Sequence, residues 1–334
     1  MSSRRTALAV GRDLYLKAAM NLRDVPVLVS GGSGFVGGAV CAWLAREGAQ
    51  VTAVVRKAGA HPGLDSPRIT QVEGEFTDAA VAQRMCAGQT LVVHAAATIG
   101  ADLAEALAIN AQGTATLAAA ARAAGCRHFV HISTVSVYHF QAPRDSFDED
   151  APLRELGRIY PHSPAASPHY GIAKAEAERL LWLEAKRGLN ATALRLGAVL
   201  GIHPTSVWVV KVPPKVRAGQ VPLRGDGSDL MTMTHIDNVV RAIELALGNP
   251  RAFGRAYNVV DDEVTWKEFI EGIRAWFPDA APAPLIPAEQ TTSADRFIAP
   301  CPSSRIAREL GYVRVKSFAD GMREAGEWWR GKSE

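Results

Sequence analysis

The sequence predicts an α/β protein built on a doubly wound parallel sheet, and three observations carry this prediction. Short β-rich runs alternate with longer Ala- and Leu-rich helical stretches from Val25 onward. Several runs are almost continuously apolar, such as Val51 to Val55, which is typical of strands buried on both faces. A glycine-rich turn follows the first run and opens a helical stretch. The 334 residues are enough for one large domain or for two.

The periodicity of apolar residues predicts the position of each element along the chain. Strands are expected over residues 26–30, 50–55, 69–73, 90–94, 127–133, 191–196 and 255–260. Helices are expected over residues 35–47, 78–87, 102–124, 169–188, 236–247, 265–276, 303–310 and 317–330.

Prolines mark two later stretches of the chain. Four prolines interrupt residues 202–224, and six fall between residues 278 and 302. Because proline cannot donate to a sheet ladder, these stretches are not expected to form regular sheet. The predicted organisation is a Rossmann-type doubly wound sheet with a smaller C-terminal substrate lobe over its carboxyl edge, where such sheets bind ligands. The predicted boundaries are 1–24 for an N-terminal extension, 25–195 with 236–262 for the Rossmann domain, and 196–235 with 263–334 for the lobe.

The first 24 residues precede the predicted sheet. Val10, Leu14, Ala18 and Leu22 recur every four residues, which is an amphipathic helix pattern. The segment is interpreted as an extension packed on the body of the protein. A basic targeting presequence is the alternative interpretation.

Charge and composition exclude several classes of protein. Lys and Arg number 37 against 34 Asp and Glu, and residues 1–24 alone account for the net charge of +3. A neutral body has no electrostatic footprint for nucleic acid. No apolar run is long enough to span a membrane, and four widely spaced cysteines indicate free thiols in a reducing compartment. A cytoplasmic protein is therefore expected. No metal site is expected either, since no metal-binding motif occurs.

The glycine-rich turn predicts a dinucleotide site. It follows a buried strand and opens a helix, so backbone N–H groups at the helix N-terminus would meet a pyrophosphate. Gly31 permits the tight turn, Gly34 permits close approach of the backbone to the pyrophosphate, and Gly37 permits close packing of the helix on the sheet. Glycines that serve only the turn are the alternative. The residues predicted to bind the dinucleotide here are Gly31, Ser33, Gly34, Phe35, Val36 and Gly37.

Ser30 and the spacing Gly-x-x-Gly-x-x-Gly resemble the short-chain dehydrogenase/reductase superfamily, in its extended branch. This branch is the NAD-dependent epimerase/dehydratase family. The resemblance runs over nearly the whole chain from residue 25. It implies a Rossmann fold and a nicotinamide dinucleotide cofactor.

The end of the second predicted strand indicates which dinucleotide binds. An NAD site commonly has an acidic residue there, whereas an arginine accommodates the 2′-phosphate of NADP. Val55 occupies the acidic position and Arg56 follows it, which favours NADP, with NAD as the alternative. Glu75 and Phe76 resemble the family's acidic and apolar pair at the adenine edge.

Tyr170 and Lys174 form the proton-transfer pair that the resemblance implies. They are four residues apart on a predicted helix, so both side chains lie on one face. An ammonium beside a phenol favours the phenolate and brings the phenol nearer to working pH. The resemblance also assigns Lys174 to the ribose of the nicotinamide.

A hydroxyl at the end of the fifth predicted strand completes the set. In the family it lies four residues before a tyrosine, and counting back from Tyr138 gives Thr134. It would hydrogen-bond the substrate oxygen and orient it toward Tyr170. Ser133 is the alternative, and Ser136 is interpreted as a structural hydroxyl.

Further landmarks match the family along the chain. Ala95, Ala96 and Ala97 correspond to the small residues beside the cofactor, and Leu196 lies in the strand that closes over the nicotinamide. Asn110 would shape the active-site backbone, with a helix-surface amide as the alternative. Other matching segments are Arg195–Gly201, His235–Val239, Tyr257–Val259, Arg305–Gly311 and Phe318–Trp329.

The later segments indicate the substrate class. Nucleotide-sugar epimerases of the family carry an Arg-Asp pair where this chain has Met231 and Thr232. Because a thioether cannot bind a diphosphate, an apolar substrate is favoured. Asp237-Asn238-Val239 resembles the 3β-hydroxysteroid dehydrogenase-like subgroup. Trp208 would line an apolar pocket, with ordinary lobe core as its alternative.

These patterns predict an NADP-preferring oxidoreductase that acts on a secondary alcohol or ketone of a steroid-like, aromatic or polyketide-like molecule. Val135 and Ser136 replace the acidic pair with which dehydratases of the family eliminate water, so that chemistry is not expected. A nucleotide-sugar 4-epimerase is the first alternative. A non-catalytic NADP sensor is the second. The sequence leaves a homodimer open.

Overall fold

The computed structural model describes residues 20–140, 145–158, 168–287, 290 and 299–332. Most of the helix expected in the N-terminal extension therefore lies outside the described residues. Among those described, Leu22 packs into the core. None of the described helices is both long and apolar enough to cross a membrane.

Strands are interspersed with helices along the described part of the chain. The strands are β1 (Pro26–Ser30), β2 (Gln50–Val55), β3 (Ile69–Glu73), β4 (Leu91–His94), β5 (His128–Thr134), β6 (Ala191–Leu196), β7 (Ala198–Leu200), β8 (Leu223–Arg224), β9 (Leu230–His235), β10 (Arg255–Val259), β11 (Asp262–Thr265) and β12 (Leu285–Ile286). The α-helices are α1 (Phe35–Arg46), α2 (Ala79–Cys86), α3 (Leu103–Ala106), α4 (Gly113–Ala123), α5 (Pro168–Lys186), α6 (Pro213–Arg217), α7 (Ile236–Ala246), α8 (Trp266–Arg274), α9 (Ser304–Leu310) and α10 (Phe318–Arg330).

Seven strands form the central sheet in the order β10-β6-β5-β4-β1-β2-β3. Every neighbouring pair is parallel. The predicted doubly wound sheet is confirmed, and each of its seven predicted strands is found to within one residue at either end. The strand order reverses between β1 and β4, which is where open parallel sheets bind ligands at their carboxyl ends.

The central strands are buried on both faces. Val27 and Val29 of β1 belong to one core cluster, and Leu28 between them belongs to the cluster on the other face. This alternation explains the continuous apolar runs, since every side chain of such a strand must be covered.

Two smaller sheets form in the later part of the chain. β9 pairs with β7 in parallel and with β11 in antiparallel register, and none of these three strands was predicted. The expectation of no regular sheet within residues 202–224 and 278–302 is wrong, because β8 pairs with β12 in parallel. The prolines do not prevent this pairing. Pro284 precedes β12 and needs no N–H for the contact, because its carbonyl accepts from Leu223 N–H. The proposed division into a Rossmann domain and a substrate lobe stays a prediction.

The helix expected over residues 102–124 is interrupted. A π-helical segment, Leu107–Gln112, lies between α3 and α4 and carries Asn110. π-helical turns are rare in proteins, and those that occur are often found at functional sites.

Candidate active site

The glycine-rich turn lies at the carboxyl end of β1, next to the exit of β4. Gly31 has a positive φ of 73°, and a Cβ there would lie 2.8 Å from Ala96 Cα. A Cβ on Gly37 would overlap the carbonyl of Gly31, so the helix could not approach the turn. No side chain caps α1 at Gly34, which leaves N–H groups of its first turn for another acceptor. These features fit the pyrophosphate of a dinucleotide.

The remaining residues predicted for this turn lie around that N-terminus. Ser33, Phe35 and Val36 are all half-buried. The Phe35 ring stacks on His203 at 5.5 Å between centroids. Their contacts with a cofactor stay a prediction.

A hydrogen-bonded chain ties this turn to the loop after β4. Ala96 N–H donates to Ser30 Oγ, and Ser30 Oγ lies 2.5 Å from His94 Nδ1. His94 Nε2 lies 3.0 Å from Thr114 Oγ1, and the Thr114 hydroxyl donates to the carbonyl of Asn110. Because that carbonyl can only accept, Thr114 accepts from His94 Nε2–H, and His94 Nδ1 accepts from Ser30.

Asn110 supports the backbone beside the predicted cofactor residues. Its side chain accepts from Thr98 N–H at 2.8 Å and donates to Thr98 O at 3.0 Å. It is fully buried, so the alternative of a helix-surface amide is wrong. The segment Ala95 to Ala97 is thereby held between Ser30 and Asn110.

The end of β2 places Arg56 in solvent. Val55 is buried, whereas Arg56 is exposed and forms no ion pair with any described residue. Glu73 accepts from Ala58 N–H and folds the following loop back toward β3. No acidic side chain therefore occupies the position of Val55, where an NAD site commonly has one.

The other two residues predicted at the adenine edge differ in exposure. Glu75 is exposed, whereas Phe76 is buried and meets the ring of His94 edge-on at 5.1 Å. Phe76 therefore belongs to the core beneath the site. A contact of either residue with adenine stays a prediction.

Thr134 and Ser133 end β5 with different partners. The Ser133 hydroxyl donates to Glu178 Oε1 at 2.6 Å, so it is engaged inside the protein. Thr134 Oγ1 accepts from Ser136 N–H at 3.1 Å and keeps its own proton for donation. This difference favours Thr134 over Ser133 for the substrate oxygen.

Helix α5 approaches this strand end at its first turn. A Cβ on Gly171 would overlap the carbonyl of Ser136, so only glycine lets the helix come this close. The contact places the turn that carries Tyr170 beside the turn that follows Thr134. One helical turn later, Lys174 lies over β5.

The Lys174 side chain points into the interior, where its amine bonds groups of β5. Its amine donates to the carbonyl of Ile132 at 2.7 Å and lies 2.9 Å from His131 Nε2. Burial lowers the pKa of Lys174 to about 7. Burial raises the pKa of Tyr170 to about 12, so the expected lowering of the phenol pKa by the ammonium is wrong for this structure. Tyr170 is accordingly a protonated donor.

A buried ion pair that the sequence analysis missed lies beneath the site. Arg195 bonds Glu178 through Nε and NH2, with NH2 2.7 Å from Oε2, and both side chains are buried. Arg195 also donates to the Tyr138 hydroxyl and to the carbonyl of Glu149. The four-residue spacing of Tyr170, Lys174 and Glu178 on α5 was the available signal, since it puts all three on one face.

The residues predicted to mark the substrate class, and the predicted cofactor residue Leu196, lie in or beside the apolar core. Met231 and Thr232 are buried in β9, and Leu196 is buried at the end of β6. Trp208 meets Phe269 edge-on at 5.8 Å and packs against the apolar cluster that contains Phe269 and Met231, which supports the alternative interpretation of Trp208 as a core residue. Within the described residues, no three His, Cys, Asp or Glu side chains are grouped as a metal site would require.

Known proteins resemble the chain along most of its length. The model of the NAD dependent epimerase/dehydratase family matches residues 27–259. A dTDP-glucose 4,6-dehydratase of Streptomyces griseus is 30% identical over 321 residues, covering 91% of this chain and 93% of that protein. A 2-alkyl-3-oxoalkanoate reductase of Stenotrophomonas maltophilia is 30% identical over 244 residues, covering 71% of each. The structure of the Bordetella bronchiseptica enzyme WbmG in complex with NAD shares the fold, with a TM-score of 0.73 and 23% identity over 92% of this chain and 94% of that chain.

Proposed function

Because the chain belongs to the NAD dependent epimerase/dehydratase family, we propose that it transfers a hydride between a nicotinamide dinucleotide and a secondary alcohol or ketone of an apolar substrate. The observation that carries this proposal is the meeting of two elements at one edge of the sheet. The Thr134 turn and the first turn of α5, with Tyr170, lie together at the carboxyl ends of the strands. This edge also holds the glycine-rich turn.

The side chains divide the chemistry between them. The cofactor, when bound, supplies or accepts the hydride. Tyr170, whose pKa of about 12 keeps it protonated, would donate its proton to the ketone oxygen during reduction, and in the reverse direction its phenolate would accept the proton of the alcohol. Thr134 Oγ1 donates to the same oxygen and fixes its orientation. Lys174 is proposed to serve the ribose of the nicotinamide, as the resemblance implies, although in this structure its amine bonds Ile132 O and His131 Nε2.

Two residues of β9 support an apolar substrate. Met231 and Thr232 bring no charge to the positions where family members that bind nucleotide sugars carry an Arg-Asp pair. Two relatives are named 2-alkyl-3-oxoalkanoate reductase, and another is named as a ketoreductase of a farnesylated quinoline oxide, which supports an alkyl-bearing ketone substrate. Val135 and Ser136 supply no carboxylate beside Thr134, which disfavours dehydration despite the similarity to a dehydratase. Assignment to the 3β-hydroxysteroid dehydrogenase-like subgroup stays a prediction.

A thermal-shift screen with cofactor present tests the substrate class. We expect steroid-like, aromatic or alkyl ketones to raise Tm. Burying about 200 Å² of apolar surface contributes roughly 5 kcal/mol before the costs of association. UDP- and dTDP-sugars are expected to leave Tm unchanged, because a diphosphate needs cations that these positions lack.

A nucleotide-sugar 4-epimerase is the second candidate. Arg224 favours it, because this half-buried arginine of β8 has no ion-pair partner among the described residues. Stabilisation by UDP- or dTDP-sugars, together with no response to ketones, would decide for the epimerase. In that case Arg224→Ala should abolish the response, whereas Arg217→Ala, at an arginine already paired with Asp279, should leave it.

Arg56 is expected to select NADP. Arg56→Ala should raise the Kd for NADP⁺ about 10- to 150-fold, which corresponds to roughly 1.5 to 3 kcal/mol for charge-assisted hydrogen bonds to a phosphate. The Kd for NAD⁺ should not change, and isothermal titration calorimetry measures both. Arg46→Ala, at an exposed arginine on the far end of α1, is the control. Tighter binding of NAD⁺ than of NADP⁺ by the wild type would contradict the preference.

A further inference from the structure

The amine of Lys174 is enclosed by very few polar groups. The residue is 1% exposed, and its hydrogen bonds within the described part of the chain go to Ile132 O and His131 Nε2. Glu178 lies one turn along the same helix, but its carboxylate is occupied by Ser133 and Arg195. Lys174 therefore depends on a backbone carbonyl and one imidazole.

His131 differs from two other buried histidines of the sheet. His94 bonds through both ring nitrogens, and His128 does so as well, to Thr192 and to Gly248 N–H. His131 Nδ1 has no hydrogen-bond partner among the described residues, although the ring is fully buried. Its one polar contact is with Lys174, so the fold satisfies His131 only through that amine.

We propose that His131 is the positioning residue for Lys174, and that the tautomer of its ring follows the charge of the lysine. The proposal rests on the proposed function in one respect, namely that Lys174 serves the cofactor. The contact itself does not depend on that role.

The tautomer argument follows from the available protons. Burial, reinforced by the charge of Lys174, holds the pKa of His131 well below its usual range, so the ring is neutral and carries one N–H. When Lys174 is an ammonium, it donates to Nε2 and the ring proton must sit on Nδ1, where it has no acceptor. When Lys174 is a neutral amine, its lone pair accepts from Nε2–H. Ile132 O accepts an N–H from the amine in both states.

Other charges near Lys174 do not override this coupling. Glu178 lies on the same face of α5 and its charge raises the pKa of Lys174, but burial lowers that pKa by more, and the carboxylate itself bonds Arg195 and Ser133. Burial lowers the pKa of Lys174 to about 7, so its charge changes in an experimentally accessible range. Within the described residues, the groups that interact electrostatically with Lys174 are Glu178 of α5, His131 of β5 and His94 of β4, while Arg195 of β6 pairs with Glu178 and Tyr170 lies one turn earlier on α5. Asp102 and Glu105 at α3 and Arg122 of α4 belong to helices packed against α5, and Arg122 pairs with Glu184.

The first test reads the tautomer directly by ¹⁵N NMR of histidine side chains in the full-length wild type. The His131 signals, assigned by their loss in His131→Gln, should show the Nδ1–H form at pH 5.5 and the Nε2–H form at pH 9. His94 should stay Nε2–H throughout, because Thr114 fixes it. In Lys174→Met the His131 tautomer should not depend on pH. One unchanging tautomer in the wild type, or a charged His131, would overturn the proposal.

The second test separates positioning from mere packing through the pH dependence of cofactor affinity. In the wild type, the Kd for NADP⁺, measured by calorimetry, should rise as pH increases through the pKa of Lys174, because the amine then loses its charge. His131→Phe removes an acceptor from the ammonium, so this rise should occur about one pH unit lower, a tenfold change in the deprotonation constant. His131→Gln should restore the wild-type midpoint, because its carboxamide oxygen accepts from Nζ. His128→Phe, on the same strand, should keep that midpoint.

The outcomes distinguish this proposal from the proposed function. If the wild type binds neither NADP⁺ nor NAD⁺, the proposed function fails while the tautomer experiment still decides the contact. If it binds a cofactor and His131→Phe, shown to be folded by circular dichroism, keeps the wild-type midpoint, only the role of His131 is wrong.

Discussion

Tyr170→Phe is expected to lower kcat by a factor of about 10² to 10⁴, the usual contribution of a positioned general acid or base. The variant keeps the ring and loses the proton that reaches the substrate oxygen. Cofactor affinity should be almost unchanged, since the glycine-rich turn and Lys174 are the groups proposed to hold the dinucleotide. Steady-state kinetics on a ketone found by the thermal-shift screen, together with calorimetric titration of NADP⁺, measures both quantities.

Two further variants serve as comparisons for Tyr170→Phe. Tyr257→Phe removes a buried tyrosine hydroxyl that bonds Glu309, away from the candidate site, and should keep kcat. Lys174→Ala should damage turnover and cofactor affinity together. Wild-type kcat in Tyr170→Phe would show that another group transfers the proton.

Arg195→Met is expected to lower the free energy of unfolding by about 3 to 5 kcal/mol, because removing one partner of a buried pair leaves an uncompensated charge. Glu178 is fully buried and would keep only the Ser133 hydroxyl. The variant also removes the donors to Tyr138 and Glu149, which join the end of β5 to the loop beyond it. Urea unfolding followed by circular dichroism measures the loss.

Two controls distinguish the cost of leaving a buried charge unpaired from the cost of losing an ion pair as such. Arg195→Met with Glu178→Leu should recover much of the stability, since a well-packed apolar replacement removes both charges together. Arg217→Met breaks an exposed pair with Asp279 and should cost no more than about 1 kcal/mol. A loss of that small size in Arg195→Met would mean that water reaches Glu178.

Local patterns were sufficient for the central sheet. Most of its strands are short apolar runs that must be covered on both faces, so the signal lies within five to seven neighbouring residues, whereas the edge strand β3 is mixed in polarity and partly exposed. The exceptions confirm this reason. β7 has only three residues, β9 and β11 are mixed in polarity, and each pairs with a strand more than 25 residues away in the chain, so nothing within each segment indicated a strand.

The candidate site, like the sheets, combines features that short segments specify with features that depend on residues distant in the chain. The spacing of Tyr170 and Lys174, the position of Thr134 and the glycine-rich turn are all properties of short segments, and the sequence by itself determined them. It could not determine that Ser133 is engaged by Glu178 or that Asn110 is buried, because each depends on a residue or covering element distant in the chain.

The direction of the pKa changes was decided only by the tertiary structure. From the sequence, Lys174 and Tyr170 form an isolated pair in which the ammonium lowers the phenol pKa. In the fold, β5 presents Ile132 O and His131 to the amine, and burial makes both charged forms costly. Desolvation depends on everything packed around a group, and 43 residues separate His131 from Lys174 in the chain. The sequence therefore determined which groups are present, and the tertiary structure decided their partners and their charge.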